Sequence, residues 1–153
     1  MIMRVPVEIF VTNKRLNYRD LSMVSDAPEA KESTNSFSGF MDVKGDNCLL
    51  DYEEVFDDGE VASTTVMVKN GSALISRRGD INTNLVFRQG KSCDCVCHNG
   101  YRNLNLRVNT KKIKSDLCRL GGKLSIDYTI EIMGNLAEKN SFCVSVCPSD
   151  SVS

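Results

Sequence analysis

The sequence predicts an all-β protein, a single antiparallel meander that closes into a barrel of about eight to ten strands. Turn-forming glycines recur mostly every eight to fourteen residues, which is the spacing of one strand and one turn. The segments between these turns alternate apolar and polar side chains, as strands do when one face covers a core. Fifteen valines against five alanines also disfavour a helical protein. We expect closure into a barrel because closure removes the exposed edges of the sheet.

The alternation is clearest over 124–132, where every second residue is leucine, isoleucine or tyrosine. The same period of two runs over 5–11 near the start of the chain and over 142–146 near its end. No segment shows the period of 3.6 that marks an amphipathic helix. The candidate strands, some of them continuous with their neighbours, lie near 4–13, 15–24, 36–44, 47–56, 60–70, 72–79, 83–89, 92–98, 101–114, 122–134 and 139–147.

One β-barrel domain is predicted over 1–147, because 153 residues are one domain's worth of chain and no internal repeat is visible. The stretch 25–35 is polar, charged and contains Pro28, so it is predicted to form a loop near one end of the barrel. A single helical turn within that loop is the alternative. Residues 148–153 are predicted to be a disordered tail.

Composition and charge exclude several functional classes. The net charge is −1, so the chain as a whole gives no electrostatic reason to bind nucleic acid. No apolar run approaches the ~20 residues that a membrane-spanning helix needs, and the first residues do not resemble a signal peptide. Seven cysteines, an odd number, fit free thiols in a reducing compartment. We therefore expect a cytoplasmic protein without a membrane partner.

An ordered string of short motifs over about 36–147 resembles the YwiB-type family of uncharacterised bacterial proteins. The motifs are LDYEE at 50–54, DG at 58–59, RRG at 77–79, FRQGK at 87–91, Tyr101, Leu104 and GKLSIDY at 122–128. The resemblance implies a calycin-like, or lipocalin-like, β-barrel, and the family has no established activity to carry over. The chain departs from the family pattern at Asn99-Gly100, where the family tends to have Thr-Pro before and glycine after the tyrosine, and in its cysteine string.

Calycins often bind small apolar ligands, so this fold implies a non-enzymatic protein that binds a small apolar or anionic ligand. The candidate binding residues are Arg77, Arg88, Tyr101 and Tyr128. Both arginines fall near strand ends, and Tyr128 lies on an apolar-facing strand, so a guanidinium and a phenol are predicted to hold an anionic headgroup. The alternative is structural: the arginines cap the barrel and Tyr128 fills its core.

The cysteine string is the sharpest local motif, and it comprises Cys93, Cys95, Cys97 and the adjacent His98. Alternate cysteines on one strand share a face, and thiolates favour Zn²⁺ or Cu(I). However, residues two apart on a strand are ~6.6 Å apart, and His98 faces the other way in regular strand geometry. We therefore expect no bound metal and no cofactor, and only a small loss of stability from serine at Cys95 if that thiol is exposed. Metal or thiol sensing by these residues is the alternative.

Catalytic motifs are absent from the sequence: no nucleophile elbow, zinc-binding helix or phosphate-binding loop occurs. We therefore expect no enzymatic activity. Basic residues cluster in the second half of the chain, so a module that binds RNA or a protein partner remains an alternative. That function requires Arg77, Arg88, Arg107 and Lys112 on one continuous outer surface. Stacking platforms for RNA bases are scarce, since aromatic residues make up 7% of the chain and tryptophan is missing.

Overall fold

A computed structural model describes residues 3–17, 29–45, 47–55, 58–79, 81–99 and 102–149. Within these ranges the chain forms ten β-strands and no helix, and the strands close into one antiparallel barrel. The described ranges accordingly contain no helix suited to crossing a membrane. The strands are β1 (Met3–Asn17), β2 (Glu29–Lys44), β3 (Asn47–Val55), β4 (Val61–Lys69), β5 (Ser72–Arg78), β6 (Ile81–Arg88), β7 (Ser92–Asn99), β8 (Arg102–Ser115), β9 (Gly122–Ile132) and β10 (Asn135–Pro148).

Each strand pairs with the next one along the chain, and β1 closes the barrel by pairing with both β2 and β10. The Asn70-Gly71 turn shows how the sequence sets these hairpins. Gly71 has a φ of 70°, a left-handed value that glycine adopts without strain, and it joins β4 to β5. The all-β barrel predicted from turn spacing and alternation is confirmed.

The barrel interior is filled by side chains from all ten strands. The predicted alternation holds along β9, where buried residues occupy every second position from Leu124 to Ile130. Burial of apolar surface on this scale is the main stabilising contribution in a domain of this size. The buried core comprises Val7, Ile9, Val11, Met41, Cys48, Leu50, Tyr52, Val66, Val68, Ala73, Phe87, Cys95, Leu106, Val108, Leu124, Ile126, Tyr128, Ile130, Phe142, Val144 and Val146.

Two predicted boundaries were wrong. The candidate strands 4–13 and 15–24 are continuous as far as Asn17, but β2 begins at Glu29, so the predicted loop 25–35 is a strand from residue 29 onwards. All side chains from Ala30 to Ser36 are exposed, so none of them covers the core. The sequence of this stretch accordingly lacks the apolar alternation that predicts a strand. The predicted tail also starts late: Pro148 ends β10, and the Ser149 amide donates to the Pro6 carbonyl at 2.9 Å. Residues 18–28 and 150–153 lie outside the described ranges.

The barrel has an upper end, where β1 ends and β2 begins, and a lower end, where β1 begins and β2 ends. β2 pairs with β1 from Glu29 to Val43 but with β3 only from Gly39 to Lys44. Above Gly39, β2 therefore leaves β3 and pairs with β1 alone, and we call these upper parts of the two strands the β1–β2 arm. On its other side, β1 pairs with β10 up to Asn17, so the arm is continuous with the rest of the sheet. This arm supplies one side of the candidate site.

Candidate functional site

A groove crosses the outer face of the upper barrel between two rows of side chains. Strand register places Glu32, Lys14, Ser141 and Asp127 side by side in the first row, and Ala30, Leu16, Lys139 and Thr129 in the second. These residues alternate with core positions, so their side chains face outward. The groove, which we call the upper groove, has a volume of about 690 Å³. This volume is in the range of sites that bind small molecules.

Four lysines line the upper groove: Lys14, Lys31, Lys111 and Lys139. Lys14 and Lys139 belong to its two rows, and Lys111 is the extra residue of a β-bulge between Thr110 and Lys112. The bulge interrupts the alternation of β8 and adds a basic residue at the end of the groove. All four lysines are exposed. Their ammonium groups and aliphatic stems together suit a ligand that is both anionic and apolar.

Apart from the lysines and Arg15, the lining consists of apolar, polar and two acidic residues. Leu16 and Ala30 give the groove apolar surface next to the β1–β2 arm. The Asp127 carboxylate accepts a hydrogen bond from the Ser141 hydroxyl at 3.0 Å, which partly satisfies that charge. Glu32 is the other acidic residue of the lining. Four lysines and Arg15 against two carboxylates give the lining a net positive charge.

A row of polar side chains lies behind the groove, on the inner face of the same strands. Arg15, Asn140, Tyr128 and Thr110 are consecutive neighbours across β1, β10, β9 and β8. The Arg15 Nε atom donates to Asn140 Oδ1 at 3.2 Å and lies 3.3 Å from a Glu138 carboxylate oxygen. The guanidinium is therefore already compensated by a carboxylate. This network fixes the backbone of β1 and β10 beneath the groove.

Tyr128 is the buried member of this inner row. Its ring contacts Phe87 edge to face, with 4.7 Å between the centroids. Burial raises the pKa of Tyr128 to about 12; the Arg15 charge opposes this shift and the Glu138 charge adds to it. The phenol is therefore neutral at physiological pH. Tyr128 belongs to the buried core cluster, which agrees with the structural alternative for this residue, and it is also one of the residues that border the groove.

Two polar atoms near this row are buried without a hydrogen-bond partner among the described residues. They are the Thr110 hydroxyl and the Asn13 amide oxygen. Buried polar groups are nearly always hydrogen-bonded, so each unpaired one calls for a partner such as water or a ligand atom. Both atoms lie in the upper half of the barrel, which makes this half the polar part of the interior.

Arg77, one of the predicted ligand residues, faces the barrel interior from β5 and forms an ion pair with Glu54. The nearby Tyr52 ring stacks on Phe37 with 4.7 Å between the centroids. The pKa of Tyr52 is raised to about 12, mainly by burial and also by the Glu54 charge, while Arg77 and the Thr64 hydroxyl lower it. The structure thus places Arg77 in a compensated pair that does not line the upper groove.

The other two predicted ligand residues do not join Arg77 and Tyr128. Arg88 is exposed at the lower end of β6, so it does not lie beside Arg77 or Tyr128. Both neighbours of Val86 are apolar, and the sequence therefore did not reveal which face of β6 is inward. Tyr101 lies outside the described ranges. The surface required for RNA binding is also interrupted, because Arg77 faces inward while Arg107 is exposed and pairs with Asp94 at 3.2 Å.

The cysteine string lines the junction between β6 and β7, where only three residue pairs form a ladder. Cys95 is buried in the core, which contradicts an exposed position for it. The Val86 amide donates to Cys95 Sγ at 3.4 Å, and the Cys97 sulfur lies 3.3 Å from the Thr83 hydroxyl oxygen. Cys93 and Cys97 pack against the same core from partly exposed positions. These thiols therefore fill a gap in the ladder.

Metal binding by the string finds no support in the described geometry. His98 is exposed and points away from the cysteines, toward Asn103 on β8. Within the described ranges, no group of three histidine, cysteine or acidic side chains is arranged to hold a metal ion. Burial raises the pKa of Cys95, which disfavours the thiolate that a metal or an electrophile would need.

Sequence reasoning missed Lys14 and Lys139 as candidate site residues, whereas Lys111 belongs to the basic cluster in the second half of the chain. Its alternation rule does contain part of the signal. Extending the pattern of 5–11 further along β1 places Arg15 inward and Lys14 outward, and extending the pattern of 142–146 backwards places Lys139 outward. The bulge that exposes Lys111 has no such signal.

Comparison with known proteins places these features in a family. Residues 21–144 match the family model described as "Domain of unknown function (DUF1934)". The uncharacterised β-barrel protein YwiB of Bacillus subtilis (strain 168) is 35% identical over 95 residues. That match covers 62% of this chain and 66% of the relative, slightly under two thirds of its length. The crystal structure of YwiB from Bacillus subtilis superposes with a TM-score of 0.75 at 25% identity, covering 95% of this chain and 93% of that one. The chain therefore belongs to the DUF1934 family, whose function is unknown.

Proposed function

We propose that the protein binds a small, partly apolar anion in the upper groove and does so without catalysis. The observation that carries this proposal is the lining of the groove. The groove has a volume of about 690 Å³, and its lining includes the basic residues Lys14, Lys111 and Lys139. The side chain of Leu16 adds apolar surface to the same lining. Seven free cysteines support a reducing, cytoplasmic setting for this binding.

The chemistry of the groove favours an amphipathic ligand over a purely apolar one. A calycin that binds an apolar ligand holds it inside the barrel, but here side chains from every strand fill the interior. An anion on the outer face gains Coulomb attraction from the lysines, although solvent screens each contact. The apolar part of the ligand then gains from the leucine and the lysine stems. Neither contribution is large alone, so the two must act together.

Catalysis is not supported by the same lining. Its described residues include no histidine or cysteine, and its single serine, Ser141, donates its hydroxyl to Asp127. A nucleophilic serine needs a base that accepts its proton and is itself oriented by a third group. Asp127 is a partly exposed carboxylate on the outer face, without such an orienting partner in the described ranges.

Fluorescence titration tests the proposal with two probes of similar shape. Anilinonaphthalene sulfonate is anionic, and phenylnaphthylamine is its neutral counterpart. We expect the anionic probe to bind more tightly and to lose about fivefold in affinity in the Lys139→Gln protein, as removal of one partly screened charge contact predicts. The neutral probe is expected to bind both proteins alike.

The matched control is Lys44→Gln, which removes an exposed lysine at the lower end of β2. This change is expected to leave the affinity for both probes unchanged. Equal loss of the anionic probe in both variants would mean that overall charge attracts the probe. Binding unaffected by Lys139→Gln would exclude the groove as the site.

A further inference from the structure

The segment that joins β8 to β9 forms a small cap at the lower end of the barrel. Cys118 and Gly121 exchange two backbone hydrogen bonds, of 2.9 Å and 2.8 Å, and so close a tight turn. The side chain of Leu117 packs against the buried core. We call residues 116–121 the lower cap.

A thiol connects the lower cap to β3. The Cys48 Sγ atom donates to the Leu117 carbonyl oxygen at 3.6 Å. Because β10, β1 and β2 separate β3 from β9 around the barrel, this contact is not one between neighbouring strands. Cys48 is only 3% exposed, whereas Cys118, the residue after Leu117, is exposed, and both thiols are free.

Peptide geometry converts this contact into a limit on the separation of the two cysteines. In a trans peptide the carbonyl oxygen lies about 2.8 Å from the next Cα atom, so the Cys118 Cα atom lies within about 6.4 Å of Cys48 Sγ. A disulfide joins Cα atoms about 4.4–6.8 Å apart, so pairing needs a shift of at most a few ångströms in the cap. Burial raises the pKa of the Cys48 thiol, and the Cys118 thiol raises it further, which agrees with two sulfur atoms close enough to interact.

We propose that Cys48 and Cys118 form a reversible disulfide that ties the lower cap to β3. The Cys118 thiolate attacks a low-molecular-weight disulfide such as oxidised glutathione, which forms a mixed disulfide and releases one glutathione thiolate. Cys48 then loses its proton to solvent, and its sulfur displaces the second glutathione thiolate from Cys118. Two protein thiols are thereby oxidised to one disulfide, and one glutathione disulfide is reduced to two thiols, which take up the two protons.

Burial sets the order of these steps. Glutathione disulfide reaches the exposed Cys118 but not Cys48, which is enclosed by the core, so Cys48 reacts only through Cys118. In a reducing compartment the pair remains a dithiol, and the disulfide forms when the glutathione pool becomes oxidised. This site lies at the opposite end of the barrel from the upper groove, so the proposal is independent of what the groove binds.

Cys147 is the competing partner for Cys118. It is exposed near the lower end of β10, and the cap lies against that strand, since a Cβ atom at Gly121 would be 2.4 Å from the Val146 carbonyl oxygen. However, Cys147 follows the buried Val146 and is therefore on the outer face of β10, whereas Cys48 belongs to the core onto which the cap packs.

Peptide mapping by mass spectrometry tests the pair in the full chain after treatment with oxidised glutathione. Trypsin leaves Cys48 as the only cysteine of peptide 45–69 and Cys118 as the only cysteine of peptide 115–119. We expect one disulfide to join these two peptides, and dithiothreitol to separate them.

Cys118→Ser removes the exposed thiol, and Cys147→Ser is the matched control at the same end of the barrel. We expect Cys118→Ser to lower the amount of disulfide-linked peptide 45–69 at least about tenfold, and Cys147→Ser to leave it unchanged. Both positions are exposed, so both variants are expected to fold like the parent protein, which far-ultraviolet circular dichroism checks.

Three results would overturn the proposal. One is a link from peptide 115–119 to peptide 140–153, which carries Cys147. Another is a mixed disulfide with glutathione that persists at Cys118 while Cys48 stays reduced. The third is an undiminished yield of disulfide-linked peptide 45–69 in the Cys118→Ser protein, because Cys48 would then react with another partner.

Discussion

Gly39 and Tyr52 lie directly opposite each other in the last residue pair that joins β2 to β3. The tyrosine ring stacks on Phe37, two residues along β2, with an angle of 20° between the rings. Absence of a side chain at Gly39 lets the Asp51 carbonyl approach the backbone of β2. This pair therefore closes the barrel on one side and marks where the β1–β2 arm begins.

A methyl group at Gly39 is expected to destabilise the protein. Gly39→Ala would place Cβ 2.2 Å from a backbone oxygen, which cannot move aside as a flexible side chain does. Overpacking of this kind typically costs about 1–3 kcal/mol in the free energy of unfolding. Urea unfolding measures the loss, with Ser36→Ala on the exposed part of the same strand as the control. Equal stability of the two variants would show that β2 and β3 are not packed this closely.

Serine at Cys95 is expected to lower the free energy of unfolding by about 1–3 kcal/mol, because a hydroxyl replaces a thiol in an apolar core. The change also alters the acceptor of the Val86 amide hydrogen bond. Cys147→Ser is the control, since Cys147 is exposed and such a substitution usually stays within about 0.5 kcal/mol. Thermal or urea unfolding compares the two. A neutral Cys95→Ser change would place this thiol outside the core.

Stability is expected to fall at alkaline pH because of Tyr128. Its pKa is about 12 in the folded state and about 10 when unfolded, so the folded protein holds the phenolic proton more tightly. The resulting stabilisation is complete below about pH 10 and is lost as the pH rises toward about 12. The loss from this one group reaches about 2–3 kcal/mol.

The Tyr128→Phe protein isolates that contribution, since phenylalanine does not titrate. Urea unfolding at several pH values between about 9 and 12 should show a shallower decline for the variant than for the parent protein. Tyr52, whose pKa is also raised to about 12, is present in both proteins, so its contribution cancels in the comparison. Parallel declines would mean that Tyr128 is solvated in the folded state.

The fold class and the core strands follow from local patterns, whereas the arm does not. Along β9 every second residue is buried, and the sequence shows the same alternation of apolar and polar residues. The arm at 30–36 is exposed on both faces, so its residues carry no apolar signal and resemble a loop. The face of the cysteine string was predicted by alternation, but the burial of Cys95 depends on neighbouring strands that sequence alone does not position.

The upper groove could not be predicted from the sequence, because it is assembled by register between strands far apart in the chain. Lys14 and Ser141 are neighbours only because β1 pairs with β10 in one particular register. A shift of one residue would exchange the inner and outer faces of a strand. Arg77 and Arg88 show the same limit, since their motifs marked strand ends and not the faces to which the side chains belong.

Mapping of backbone amide chemical shifts by nuclear magnetic resonance tests the proposed binding site most directly. Titration with anilinonaphthalene sulfonate is expected to shift the amides of Lys14, Thr129 and Ser141, which lie in the two rows of the groove. The amide of Arg88, at the lower end of the barrel, is expected to remain unchanged. Shifts centred on core residues such as Phe87 and Val108, with none in the groove, would contradict an outer binding site and indicate that the ligand enters the barrel.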